Sequence, residues 1–178
     1  MLTAQIIHDI DEKTITDTAF IEQHSYPQGW AYTNAQEYYA EMLKKPNNIP
    51  VILKDDGRNV GFLLAIPQDD AVEELEGDDP FMERDSLTYY LENVAILPDY
   101  RNKGGFRKML EILRSELEKR AIPRISMHAR VSNNLSKNIQ KHMKIIKIRR
   151  IEAWRYYNFE EPTDYIIAAW PAVRGSGQ

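Results

Sequence analysis

Apolar residues recur along this chain with two alternating periods, and the changes of period predict its elements. Leu2 to Ile10 is rich in β-branched and apolar residues and reads as a first strand. Helical spacing runs from about Thr16 to Tyr26 and stops at Pro27. It resumes from Thr33 to Lys45, where Thr33 and Gln36 have capping-box spacing and Pro46 marks the end. Ile49 to Lys54 and Asn59 to Pro67 flank an Asp56-Gly57 turn signal and predict a hairpin. Ser86 to Leu97 is a long strand stopped by Pro98. The clearest helix is Lys103 to Arg120, in which Phe106, Met109, Leu110, Leu113 and Leu117 form one apolar stripe. A strand at Arg124 to Arg130 follows Pro123. Then come a short helix from about Asn134 to Met143 and strands at Ile145 to Tyr157 and Tyr165 to Trp170. Asp69 to Asp85, with nine acidic residues in seventeen, reads as a loop or an irregular excursion. The order β-α-α-β-β-β-α-β-α-β-β predicts an α/β (α+β) sandwich with a mixed, mostly antiparallel sheet. Residues 1–170 form one domain on this reading, and residues 171–178 a flexible tail.

Composition narrows the function. A chain of 178 residues suits one core. A net charge of −4 supplies no basic field, so nucleic acid is not an expected partner. The absence of cysteine excludes disulfides, thiolate-bound metal and a cysteine nucleophile, and fits a reducing cytoplasm. The N-terminus lacks a basic stretch followed by an apolar run, so no signal peptide is expected. Apolar runs such as Val60 to Pro67 are too short to cross a bilayer, so no membrane is expected. His8, His24 and His142 have no partners at metal-ligand spacing, and no metal site is predicted. A homodimer is a candidate assembly.

The informative stretch is Val94-Ala95-Ile96-Leu97-Pro98-Asp99-Tyr100-Arg101-Asn102-Lys103-Gly104-Gly105-Phe106. A buried strand ends at a proline, a turn with adjacent glycines follows, and an amphipathic helix begins. The first amides of a helix have no intrahelical acceptor and carry the positive end of its dipole. Glycine lets backbone approach an anion, and Arg101 and Lys103 add charge. The stretch is either a phosphate or pyrophosphate cradle or an ordinary strand-turn-helix junction with solvated charges. It contains neither G-x-x-x-x-G-K-[ST] nor G-x-G-x-x-G, so a P-loop and a dinucleotide-binding start are not supported.

Pro98, Tyr100 and Arg101-x-x-Gly104-x-Phe106 after a strand resemble the coenzyme A motif of the GNAT acyltransferases. Met127-His128-Ala129-Arg130-Val131-Ser132-Asn133, at the family distance downstream, resembles their fifth strand and following asparagine, notably in ribosomal-protein N-terminal acetyltransferases. The resemblance spans nearly the whole chain. It implies a GNAT fold whose fourth and fifth strands splay apart around the pantetheine arm of acetyl-CoA, the co-substrate. Val94, Ala95, Ile96 and Leu97 would lend backbone groups to pantetheine. Arg101 and the amides of Asn102, Lys103, Gly104, Gly105 and Phe106 would hold the pyrophosphate. Asn133 would lie near the pantetheine arm, and Ser136 on the helix that flanks it. The implied reaction is direct attack by a deprotonated amine, with the oxyanion met by a backbone N–H near Val94 to Ile96. The acceptor is a small amine, an antibiotic, a lysine side chain or a protein N-terminus.

Three positions depart from the family pattern. Phe106 stands where glycine or alanine is usual. Gln140 stands where relatives often carry a tyrosine that protonates the leaving thiolate. Lys144-Ile145 replaces Gly-Phe. Phe106 and Gln140 also fit an alternative: a degenerate GNAT domain that binds acyl-CoA or a protein without turnover.

An alkylammonium cannot attack a thioester, so a base is needed. Glu92, four residues before Ile96, is one candidate; as an ion-paired strand residue it would be bland. His128 is the other, at the position where the acetyltransferases it resembles carry a glutamate base; the alternative is a hydrogen-bonded structural histidine. Tyr26, Trp30, Tyr32, Trp154, Tyr156 and Tyr157 are candidate pocket or packing aromatics. Lys141, Lys144, Lys147, Arg149 and Arg150 meet the adenosine phosphate or form a solvated face. The acidic segment either concentrates a cationic acceptor or only aids solubility.

Overall fold

A computed structural model of the chain describes residues 1–27, 29–156 and 159–170. The tail expected at 171–178, and Tyr157, lie outside them. The strands are β1 (Leu2–Ile6), β2 (Ile49–Asp55), β3 (Arg58–Pro67), β4 (Thr88–Ile96), β5 (Arg124–Arg130), β6 (Lys144–Tyr156) and β7 (Phe159–Ala169). The helices are α1 (Glu12–Ser25), α2 (Ala35–Met42), α3 (Gln68–Leu75), α4 (Gly105–Lys119) and α5 (Leu135–His142). Among the described residues, no helix is long and apolar enough to cross a membrane.

The strands form one seven-stranded sheet in the order β1-β2-β3-β4-β5-β7-β6. Neighbours run antiparallel except β4 and β5, which are parallel. That pair is short: only Thr88, Tyr89 and Tyr90 face Arg124, Ile125 and Ser126. Beyond Tyr90 the two strands diverge, and this is the predicted splay. The mixed, mostly antiparallel sheet is also as predicted.

The helices follow from local chemistry. Asp11 caps α1, its Oδ1 accepting from the Thr14 amide at 2.7 Å, so the helix starts earlier than its apolar pattern. The capping box expected at Thr33 and Gln36 is not formed. Asn34 precedes α2, and Gln36 Nε2 donates instead to Thr16 Oγ1, tying α2 to α1. Met109, Leu110, Leu113 and Leu117 bury the stripe of α4, which lies against β1 and β2. Phe106, expected to continue that stripe, is only half-buried. The buried residue at the helix start is Gly105, whose missing side chain lets α4 sit on Leu53.

The acidic segment was expected to be a loop or an irregular excursion, and its first part is a helix instead. Gln68 to Leu75 is a helix, with Asp69 and Asp70 in the first turn, where the dipole favours acids. Its buried face is narrow, chiefly Ala71 and Leu75, too narrow to outweigh the surrounding carboxylates as a sequence signal. The rest of the segment is fastened to β5. Asp85 pairs with Arg124, Gln68 accepts from Ser126 Oγ, and Asp79 meets His128. Those three β5 residues alternate, so they share one face of the strand. Strand β7 also begins earlier than the expected Tyr165. Its N-terminal half is polar but paired, with Glu161 on Arg130 and Asp164 on Arg150.

A Cβ added at Gly105 would lie 2.5 Å from Leu53 Cδ2, and Leu53 is fully buried. Gly105→Ala should therefore lower stability by about 1–3 kcal/mol in urea unfolding, through overpacking, with an unchanged m-value.

Candidate functional site

The β3–β4 register shifts at one place. Leu64 faces Asn93 and Ala65 faces Leu91, so Glu92 has no opposite residue. Consecutive strand side chains normally point to opposite faces. The bulge bends this rule, and both Glu92 and Asn93 reach tyrosines of the α1–α2 unit. Tyr32 and Tyr38 donate to Glu92 Oε1 at 2.8 and 2.7 Å. Asn93 Nδ2 donates to Glu22 Oε1 at 3.1 Å and to Tyr39 Oη at 2.8 Å. The Tyr26 hydroxyl sits between Asn93 Oδ1 at 2.5 Å and the Val94 carbonyl at 2.7 Å.

Below the bulge the ladder phase is set by the Leu97 amide, which donates to the Val60 carbonyl at 3.0 Å. Antiparallel alternation then directs the backbone of Val94 and Ile96 away from β3, into the splay. Their carbonyls are occupied by the Tyr26 hydroxyl and by Arg101 Nε. Their amides face the gap.

The gap opens into a cavity of about 900 Å³. At one end lies the start of α4. Gly104 precedes it with φ +79°, no side chain caps the helix, and no acidic residue occupies its first turn. Gly104, Gly105, Phe106 and Arg107 line this end, so unpaired first-turn amides and the helix dipole open onto it. That donor set fits a diphosphate, and the free amides along β4 fit an extended amide-bearing chain. A coenzyme A molecule has both parts.

The sequence-predicted residues divide. Glu92, Val94, Ala95, Ile96, Arg101, Asn102, Gly104, Gly105, Phe106, His128 and Asn133 line the cavity. Leu97, Lys103 and Ser136 do not. Leu97 is buried, Lys103 lies over the Tyr100 ring, and Ser136 is buried and accepts from Gln140 Nε2. Arg101 was expected to add charge to the cradle, yet its guanidinium staples the loop by donating to the Ile96 and Ser25 carbonyls. Much of the basic run is spent on ion pairs: Lys147 with Glu83, Arg149 with Asp79, Arg150 with Asp164. Tyr26, Trp30, Tyr32 and Trp154 all line the cavity, and Arg130 stacks over Trp30 at 4.3 Å.

Sequence reasoning passed over Glu22, Tyr90, Arg107, Asn138 and the cavity-lining position of His142. For Glu22 a signal existed. Ile15, Thr18, Ala19 and Glu22 fall on one buried helical face, and a carboxylate there is anomalous. Burial pushes the Glu22 carboxyl up to about 7, against hydrogen bonds from Tyr39 and Asn93, and the nearby Glu92 charge adds to the rise. Glu92 is likewise raised by burial, opposed by the Tyr38 hydrogen bond. His128 is lowered, because burial outweighs its bond to Asp79. Burial alone would raise Asp79, but hydrogen bonds from His128 and Arg149 bring it down to about 2.

The acetyltransferase (GNAT) family model matches residues 15–140, most of the chain. The chain belongs to the GNAT family. This GNAT protein has the fold of several solved acetyltransferases. The Escherichia coli ribosomal-protein-S18-alanine N-acetyltransferase is 18% identical, with a TM-score of 0.67, covering 100% of this chain and 99% of that one. An aminoglycoside 6′-N-acetyltransferase complexed with coenzyme A is 13% identical, with a TM-score of 0.65 over 96% and 98%. A chimeric spermidine N-acetyltransferase, in part from Vibrio cholerae, is 11% identical, with a TM-score of 0.66 over 94% and 95%. No curated protein matches in sequence.

Neutral Glu22 is favoured in the folded GNAT domain. Its stabilising share is fully present below the ordinary carboxyl value of 4.5 and is lost as pH rises through about 7. Relative to wild type, Glu22→Gln should remove a decline of up to about 3 kcal/mol across that window. Urea unfolding of both proteins at pH 4.5 and pH 8 measures the difference.

Proposed function

We propose that this GNAT protein is an N-acetyltransferase that moves an acetyl group from acetyl-CoA to an amine by direct attack. The observation that carries the reading is one cavity with two ends: an uncapped helix start suited to a diphosphate, and Glu92 on a strand bulge beside the splay. Bound acetyl-CoA supplies an activated acyl carbon. The amides of Gly105, Phe106 and Arg107 hold the diphosphate, and the Val94 and Ile96 amides that face the splay meet the thioester arm of pantetheine. Asn102 and Asn133 line the same path. An amide of Val94 or Ile96 donates to the oxyanion.

Glu92 is the base. Burial raises its carboxyl above the ordinary carboxylate value, which favours taking a proton from an ammonium. Tyr32 and Tyr38 fix its orientation. His128 acts less directly, since both ring nitrogens are already bonded.

The acceptor is cationic. Glu22, Glu92, Tyr26, Trp30 and Tyr32 give its end of the cavity acidic and aromatic walls. The acidic segment contributes less than its formal charge. Five of its nine carboxylates, Glu73, Glu74, Asp79, Glu83 and Asp85, sit in ion pairs. The neighbouring aminoglycoside and spermidine enzymes act on polycationic amines, which supports the same class here.

Acetyl-CoA should raise the melting temperature and give calorimetric heat at millimolar concentration; silence in both assays overturns the reading. Glu92→Gln should lower kcat/KM by about 10²-fold with coenzyme affinity kept. Polyamines or aminoglycoside-like amines should outperform monoamines in the wild type, with the advantage eroding as salt rises.

A further inference from the structure

Two buried oxygens on the α1 wall of the cavity have no hydrogen-bond partner among the described residues: Glu22 Oε2 and Ser25 Oγ. Both residues line the cavity, and they are only 1% and 7% exposed. A buried polar atom without a partner costs stability, so each calls for a physical reason. A serine within a helix commonly turns its hydroxyl to the carbonyl four residues back, and Ser25 does not. Asn93 donates to Glu22 Oε1 and leaves Oε2 without a partner.

The two residues stand together. They are three apart at the C-terminal end of α1, so they share one face of the helix. Positions so spaced have β-carbons roughly 5–6 Å apart, a gap that two N–H···O contacts of about 2.9 Å through one nitrogen span. The groups around the pair are Glu92 and Asn93 from β4, Tyr39 from α2 and Tyr26 just beyond α1. Arg101 is a nearby cation, and its guanidinium donates to the Ile96 and Ser25 carbonyls.

The chemistry of the pair selects its ligand. An ionised carboxylate only accepts, and a hydroxyl accepts as well as donates. An ammonium brings three N–H donors and the charge that opposes Glu22. An anion would meet the Glu22 charge, and a neutral alcohol would leave it uncompensated. The pair is also close to the base. Asn93, which holds Glu22 at 3.1 Å, directly follows Glu92 in β4. A short alkyl spacer therefore joins a nitrogen at Glu22 to one delivered to Glu92.

We propose that Glu22 and Ser25 form a subsite for the second ammonium of a short diamine whose first nitrogen is acetylated beside Glu92. This rests on the acetyl-transfer reading and narrows its cationic acceptor to a diamine. The second ammonium donates one N–H to Glu22 Oε2 and one to Ser25 Oγ. Burial raises the Glu22 carboxyl to about 7, so near pH 7 about half of the molecules carry a proton there. The ammonium binds the carboxylate form, and that proton goes to solvent. Affinity for a diamine therefore rises as pH rises through about 7. A monoamine ends in a methyl group and gains nothing from ionised Glu22.

Putrescine and butylamine differ only in the second amine, so together they test the subsite. Calorimetry of putrescine binding to the full chain at pH 7, with and without coenzyme A, is run in buffers of different protonation enthalpy. Wild type should release about half a proton more than Glu22→Gln. Equal release by the two proteins overturns the subsite. In acetyl transfer, Glu22→Gln should cut the wild-type preference for putrescine over butylamine in kcat/KM about tenfold, mainly through KM for putrescine. Ser25→Ala, which changes no charge, should cut it several-fold and serves if Glu22→Gln does not fold. An unchanged preference overturns the subsite while acetyl transfer stands. A raised KM for acetyl-CoA with that preference intact gives the two oxygens to pantetheine and overturns it as well. If wild type acetylates no amine, the acetyl-transfer reading fails instead, and the proton count alone decides the subsite.

Discussion

Three parallel residue pairs, Thr88 to Tyr90 against Arg124 to Ser126, form the whole ladder between the two halves of the sheet. Every feature of the cavity depends on that short seam. Longer pairing would close the gap, and none would leave β1 to β4 and β5 to β7 without a common sheet. The seam is reinforced from one side. The α3–β4 segment bonds to alternate β5 residues at Arg124, Ser126 and His128, and Asp85 also accepts from Thr88 Oγ1 on β4. Three of these four bonds have a carboxylate partner, and charge-assisted bonds are stronger than neutral ones. The segment with the most formal negative charge is thus a fastening across the strand junction.

On the other wall, burial and hydrogen bonding oppose each other. Glu22 and Glu92 are carboxyls that burial pushes towards neutrality, and tyrosines and Asn93 pull them back. Burial prevails in both, raising Glu22 to about 7 and Glu92 above the ordinary carboxyl value. Asn93 is central to this balance. One amide group contacts α1 through Glu22, α2 through Tyr39 and the segment after α1 through Tyr26. The bulge at Glu92 makes this possible by setting two consecutive β4 side chains towards the same helical unit.

How much of this was legible depended on the range of each interaction. Helix α4 and strand β5 could be read directly, because a four-residue apolar stripe and a run between Pro123 and Arg130 are local signals. Helix α3 could not, because its buried face is little more than Ala71 and Leu75 amid carboxylates. The first half of β7 was hidden by Glu160, Glu161, Thr163 and Asp164, whose partners lie on other strands. The glycine-rich turn announced a cradle, but nothing near Arg101 revealed that it bonds a carbonyl 76 residues away. Glu92 and His128 were identifiable as titratable residues near the splay. Their environments were not, since Tyr32, Tyr38, Asp79 and Tyr90 join them from 38 to 60 residues away.

The backbone groups of Val94 and Ile96 that face away from β3 have a consequence for solubility. A strand edge with open amides is ordinarily a template for β-addition by another chain, and hence for aggregation. Here that edge lies within the sheet instead of at its rim. Rings of Tyr26 and Trp30 flank it, and β5 stands opposite. A strand from another molecule, with side chains on both faces, meets those walls before it can dock. A slender, flexible thread bearing its own amides can slide in lengthwise. The recess therefore acts as a steric filter that lets the protein keep a sticky edge without polymerising through it.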